Sequence, residues 1–204
     1  MKQIFEIKDE KVIAELLDTV EYGTLAICAD NKPYSVPLNF VKIGDALYFH
    51  GAKKGRKVDI LNQNMQASFS VVKSYSMIQS YFSSKEELAC PATQFFKSVI
   101  VDGTITFVEK YDEKVQALGA LMKKLQPEGG YKPLSDEAYI KAINATLVYK
   151  LNVEKLRAKF KFGQHLSQER FQMIIEHLAV RGDDIDSVTI EAMKEFKKDV
   201  SSKN

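Results

Sequence analysis

Between Thr24 and Gly51 the chain carries three strand-like segments, TLAICAD, YSVPLNFVKI and ALYFHG, separated by nothing longer than the turn signals DNKP and GD. Alternating apolar and β-branched residues bounded by Asp, Asn, Gly and Pro are the mark of strands and tight turns. Parallel neighbours need a crossover of a dozen or more residues. Connections this short therefore make an antiparallel meander and exclude a doubly wound parallel sheet. More strands are expected in MQASFSVV (65–72), SMIQSYF (76–82), ATLVYKLNV (145–153) and LRAKFKF (156–162). A longer one is expected in FFKSVIVDGTITFVE (95–109), where Gly103 suggests a bulge or bend. The expected fold is mainly β with peripheral helices, an α+β chain built on a small antiparallel barrel.

Helical spacing appears at the edges of this pattern. Asp9 can cap a helix carrying Val12, Ile13, Leu16, Leu17 and Val20, with Gly23 placed to end it. A short helix fits RKVDILNQN after Gly55, and DEKVQALGALMKKLQP is amphipathic with Val115, Leu118, Leu121, Met122 and Leu125 inward. Another short helix starts at Ser135, and two close the chain in SQERFQMIIEHLAVRG and DSVTIEAMKEFKK. A chain of 204 residues, 45% hydrophobic, can bury one good core with an appendage. The division expected is a domain over 1–163 and a helical extension over 164–204 packed on it.

Composition removes several function classes. Net charge is only +2, so positive charge matters where it is local. Residues 165–204 hold six basic against eight acidic side chains, which opposes a nucleic-acid-binding arm. Cys28 and Cys90 are far apart with no ligand spacing, so neither a metal site nor a disulfide is suggested, and both read as buried free thiols. No apolar run approaches the roughly 18 residues of a spanning helix and the N-terminus has no apolar signal region. A soluble, cytoplasmic protein with no membrane partner is expected.

Local charge concentrates in YFHGAKKGRK, residues 48–57, where Lys53, Lys54, Arg56 and Lys57 flank Gly55 just after Gly51. A strand, a glycine loop and a helix start form a layout that favours an anion, and the formal charges add to it. A solvated lysine-rich turn is the other reading. The stretch is not a Walker A loop, because no Ser or Thr follows the Lys, and it is not a dinucleotide fingerprint, because the third glycine is missing.

The combination of YSVPLNFVKIGDALYFHGAKKGRKVDIL and FFKSVIVDGTITFVE resembles the pyridoxamine 5'-phosphate oxidase-like flavoproteins, which have an FMN-binding split barrel, and in particular the branch that includes the nitroimidazole-resistance proteins. The resemblance implies a homodimer with FMN in clefts at the subunit interface. It implies that Arg56 and Lys57 hold the FMN phosphate, with Gly55 allowing close backbone approach. Val36, Pro37, Leu38 and Asn39 would lie along the isoalloxazine edge, His50 and Gly51 above the ribityl chain and phosphate, and Ser98 where the oxidases place a flavin-contacting Gln. Pro37 and Leu38 also read as ordinary edge-strand and core residues, and Ser98 as a wall hydroxyl satisfied by backbone.

The chain departs from the vitamin-forming oxidases in having no Trp, with Phe160 and Phe162 in the late segment instead, and it offers no second basic cluster to receive a substrate phosphate. Pyridoxamine-phosphate oxidation is not expected. The resemblance implies an FMN oxidoreductase passing hydride or electrons from NAD(P)H to a small acceptor such as a nitro compound, with His50 as proton donor. The alternative is a non-catalytic flavin or haem carrier or sensor, with His50 a structural hydrogen-bonding residue.

Overall fold

The computed structural model describes residues 2–84 and 86–201; Met1, Lys85 and the last three residues of the expected extension lie outside the described residues. In chain order the elements are β1 (Glu6–Ile7), α1 (Glu10–Thr19), β2 (Tyr22–Ala29), β3 (Lys32–Asn39), β4 (Val41–Ile43), β5 (Ala46–Gly51) and α2 (Arg56–Leu61). The chain continues through β6 (Gln66–Ile78), β7 (Thr93–Phe107), α3 (Tyr111–Leu125), α4 (Ile140–Ala145), β8 (Leu147–Lys161), α5 (Gln168–Arg181) and α6 (Asp184–Ser201). The strand order is β3-β2-β6-β7-β8-β5-β4, with β1 added on β8. This is the antiparallel split-barrel class with C-terminal helices. Among the described residues no helix is long and apolar enough to cross a membrane.

Two compact units share the chain: a central one of Glu10–Val71 and Val99–Arg157, and a terminal one of Met1–Asp9, Val72–Ser98 and Ala158–Asn204. In the central unit β2 alternates, burying Gly23, Leu25 and Ile27. Asp30 and Asn31, at φ 50 and 57, make the two-residue turn into β3, a left-handed geometry these two residue types tolerate. The sheet curls until β3 comes beside β5. Inside it Phe69 meets the rings of Phe40 and Phe49 edge-on, at 5.0 and 4.9 Å between centroids. Phe49 in turn stacks on Tyr149.

Four expectations fail here for physical reasons. The segment 34–43 is two strands, broken at the fully buried Phe40. Helix α1 ends at Thr19, and one of its last carbonyls is satisfied from elsewhere: Lys124 Nζ donates to the carbonyl of Leu17 at 2.7 Å and also to that of Phe40 at 3.0 Å. Burial brings that ammonium down to a pKa of about 8. Gly23 instead lies in β2, where a Cβ would stand 2.6 Å from both the Phe69 ring and the Ser70 carbonyl. Gly103 marks no bend in β7 but a close approach, since its Cβ would lie 1.9 Å from the Asn152 carbonyl oxygen. Helix α3 buries Lys114, Ala117 and Leu121, leaving Leu125 exposed, because the Lys114 stem packs inward and its ammonium reaches the Thr146 carbonyl.

The terminal unit holds the helix pair. Ser167 caps α5 by accepting the Arg170 N–H, and Gly182 at φ 70 ends it. Phe171, Ile174 and Leu178 of α5, with Met193 and Phe196 of α6, are buried alongside Phe160 and Phe162. A buried carboxylate ties the unit together. Asp186 accepts from Arg181 Nε at 2.8 Å and Nη2 at 2.5 Å, from the Ser76 hydroxyl at 2.5 Å and from the Asp183 N–H at 3.0 Å. Arg181 foremost holds the Asp186 carboxyl below its ordinary pKa. The paired strands expected at 65–82 and at 145–162 are each continuous as β6 and β8, with Lys73 half-buried and Glu154 and Lys155 exposed where the expected pairs were separated. Both thiols are free, but neither is buried: Cys28 is half-buried near the end of β2, and Cys90 is exposed on the connection between β6 and β7.

Candidate functional site

The basic loop of the central unit is shaped by two glycines with different tasks. Gly55 precedes α2 at φ 118 and ψ 171, a backbone geometry that side chains disfavour, and its carbonyl accepts from the N–H groups of Val58 and Asp59. Gly51 ends β5, and a Cβ there would stand 2.9 Å from Lys57 Nζ, so the bare glycine leaves room for that ammonium. The Arg56 guanidinium lies over the Tyr34 ring at 4.6 Å, and Lys57 Nζ lies 4.9 Å from the centroid of the Tyr149 ring. Among the described residues neither cation is paired with a carboxylate. Helix α2 has six residues, so formal charge rather than helix dipole dominates the electrostatics. Burial lowers the Lys57 pKa, a cost that an anion beside it would reverse.

Beneath these cations Tyr149 is fully buried, and its hydroxyl has no hydrogen-bond partner among the described residues. Burial, with Tyr34 adding to it, pushes that hydroxyl's pKa up, so it stays a neutral donor. An unsatisfied buried polar group costs about 1–3 kcal/mol. Its inward position follows from the alternation of the late strand, but its place under the loop needs the β5–β8 register, Phe49 opposite Tyr149.

Next to the loop, Tyr22, Pro37, Leu38, Asn39 and His50 line a cleft of about 350 Å³. Pairing of β2 with β3 sets Tyr22 opposite Asn39 and Thr24 opposite Pro37. Pro37 has no N–H, so this strand presents one donor fewer. Asn39 Nδ2 donates to the Glu21 carbonyl at 3.1 Å, which leaves Oδ1 as an acceptor and the second N–H as a donor for a ligand. Burial first, then the Lys57 charge, lowers the His50 pKa, so its imidazole is biased toward the neutral form.

The structure thus gathers Pro37, Leu38, Asn39 and His50 in one cleft and puts Gly51 at the end of β5, Gly55 on the loop that follows, and Arg56 and Lys57 in the first turn of α2. Val36 is half-buried on the same strand. Ser98 belongs to the terminal unit, where its hydroxyl donates to the Lys159 carbonyl at 3.3 Å. Tyr22, 61% exposed, was not visible as a site residue in sequence, because only the β2–β3 register brings it to Asn39.

The sequence profile of the pyridoxamine 5'-phosphate oxidase family matches residues 9–160. The chain belongs to the pyridoxamine 5'-phosphate oxidase family. Solved structures of like fold include a candidate 5-nitroimidazole antibiotic resistance protein from Bacteroides thetaiotaomicron, 21% identical over 76% of this chain and 85% of that one, with a TM-score of 0.62. The FAD and heme binding protein from Mycobacterium smegmatis is 22% identical over 76% of this chain and 73% of that one, at a TM-score of 0.62. The flavocytochrome Anf3 from Azotobacter vinelandii is 20% identical over 79% of this chain and 72% of that one, at 0.65. No curated protein matches in sequence. At these identities the likeness to solved structures is one of fold.

Proposed function

We propose that this member of the pyridoxamine 5'-phosphate oxidase family is a flavoprotein that binds FMN as a homodimer and passes electrons from a nicotinamide donor to a small acceptor, a nitro-aromatic among them. The observation that carries the reading is the pair of uncompensated cations, Arg56 and the half-buried Lys57, held on a glycine loop next to the β3 cleft. Arg56 and Lys57 donate charge-assisted hydrogen bonds to the phosphate. Val36 and Leu38 offer apolar contact beside the ring, and Asn39 Oδ1 accepts at its polar rim. A bound flavin supplies the hydride and electron transfer, which no side chain of this chain provides. His50 stands at the cleft, neutral until an anion arrives; a phosphate beside it and Lys57 raises its pKa and lets it hold a proton for an acceptor.

The purified protein is expected to be yellow, to release FMN on denaturation, to scatter as a dimer and to bleach rapidly with NADH or NADPH. His50→Ala is expected to keep FMN affinity within about tenfold, roughly 1.4 kcal/mol, while losing most acceptor-dependent reoxidation. A colourless monomer that takes up no flavin overturns the reading. The FAD and heme binding protein and the flavocytochrome of like fold favour a second reading, a flavin or haem carrier. Slow bleaching with a Soret band would establish that one instead.

A further inference from the structure

The terminal unit contains a second basic cluster that the sequence does not display as a run. Lys161 at the end of β8, His165 in the following loop and Arg170 in the first turn of α5 line one cavity of about 530 Å³. Among the described residues no acidic side chain lines it and none of the three is paired with a carboxylate. The adjoining cavity, which shares Ser83, Cys90 and Arg170, carries Glu86 and Glu169. Charge is therefore segregated, with positive potential on one side of Arg170.

Neutral groups aim these cations without neutralising them. Arg170 Nε donates to the Ser83 carbonyl at 2.9 Å and Nη2 to the Ser83 hydroxyl at 3.3 Å. Lys161 Nζ bonds the Thr93 hydroxyl. The loop bearing His165 is fixed by Gly163 at φ 76 and by buried Gln164, which accepts the Phe162 N–H and donates to the Phe160 carbonyl, both at 2.8 Å. The His165 imidazole meets the Phe5 ring edge-on; burial, then Lys2, Lys161, Arg170 and Lys197, all lower its pKa. Gathered like charges with no counter-ion repel each other, and an anion in the cavity would relieve that repulsion. Phe95, Leu166 and Ile174 supply apolar wall beside the charges.

We propose that this cavity is a binding site for a small organic oxyanion, a phosphate monoester with an apolar body. It uses none of the residues assigned to the FMN loop, so it stands or falls separately from the flavin reading. The phosphate oxygens would take Lys161, Arg170 and protonated His165, with the hydroxyls of Ser83, Thr93 and Ser167 completing the shell, and the body would lie on Phe95 and Ile174.

The test is calorimetric titration of the full chain with phenyl phosphate, inorganic phosphate and phenol. Phenyl phosphate is expected to bind tightest, and phenol at least about tenfold more weakly. Lys161→Gln and His165→Gln, which keep a hydrogen-bonding side chain, should each weaken phenyl phosphate by about tenfold or more, whereas Arg56→Ala/Lys57→Ala should leave it unchanged. In a Cys28→Ser background, phenyl phosphate should also slow alkylation of Cys90, which lines the same cavity. Equal binding of phenol, no binding of phenyl phosphate, or binding lost in the Arg56/Lys57 variant and kept in the Lys161 and His165 variants would overturn the proposal.

Discussion

The two units each hold a basic cluster, and the clusters are assembled in opposite ways. In the central unit Arg56 and Lys57 are neighbours on one glycine-framed loop, resting on the rings of Tyr34 and Tyr149. In the terminal unit Lys161, His165 and Arg170 come from a strand end, a loop and a helix, and hydroxyls and carbonyls hold them. Two glycines set the geometry of the first cluster, which is why ten contiguous residues announce it. The second depends on where a connection and a capped helix come to rest. A site made by local backbone chemistry leaves a motif in the sequence, and a site made by packing leaves only scattered residues.

The largest effect expected falls on the local cluster. Arg56→Ala/Lys57→Ala should lower FMN affinity by roughly 10²–10⁴, since hydrogen bonds to charged groups contribute about 1.5–3 kcal/mol each. Flavin fluorescence quenching measures it, and unchanged affinity would erase the distinction between the two clusters. Next in size is the support of the packed one. Asp186→Ala removes the buried carboxylate that Arg181 and Ser76 share, leaving Arg181 with Asp183 and Gln79 and Ser76 with Thr189, and should cost about 1.5–3 kcal/mol in urea unfolding. Because Arg181 depresses the Asp186 pKa, this stabilisation is present above the ordinary carboxylate range and is lost as pH falls through the folded value. Asp186→Asn should therefore be less stable than wild type at neutral pH and less acid-sensitive, and identical acid profiles would contradict the assignment.

A smaller pair of effects separates packing glycines from site glycines. Gly103→Ala drives a Cβ into the Asn152 carbonyl, a backbone atom that cannot yield cheaply, and should cost about 1–3 kcal/mol of stability or more. Gly51→Ala meets only the mobile end of Lys57, so stability should hold while FMN affinity falls as that ammonium is displaced. Equal losses of stability in the two variants would remove the difference. The smallest effect is a pH dependence. His50 has a lowered folded pKa, so the unfolded chain binds its proton first and stability declines as pH falls below about 6.5 toward the folded value. His50→Gln should flatten that part of the profile, leaving the share contributed by His165, whose pKa is lowered too. A profile identical to wild type would show that His50 does not titrate there.

Much of the central unit was legible because its signals are local: the turn at Asp30–Asn31, strand β5 running into Gly51, and Gly55 before α2. What sequence misread was tertiary in origin. Gly23 and Gly103 looked like a helix stop and a bend, yet each is demanded by a neighbouring strand. Lys124 closes α1 from more than a hundred residues away, and no local pattern encodes that bond. The segments expected as separate strands on either side of Lys73 and of Glu154–Lys155 run on as single strands, so these charges interrupt neither β6 nor β8. The unpartnered Tyr149 hydroxyl and the Tyr22 wall of the cleft depend on strand register, and Lys161, His165 and Arg170 on the packing around α5.

The phosphate clamp at Arg56 and Lys57 is the central claim, and the ligand tests it more directly than any substitution. Parallel titrations of the apoprotein with FMN and with riboflavin, which differ only in the phosphate, should give FMN an affinity at least about a hundredfold higher, matching two charge-assisted hydrogen bonds at the low end of their range. Equal affinities for the two flavins would contradict it.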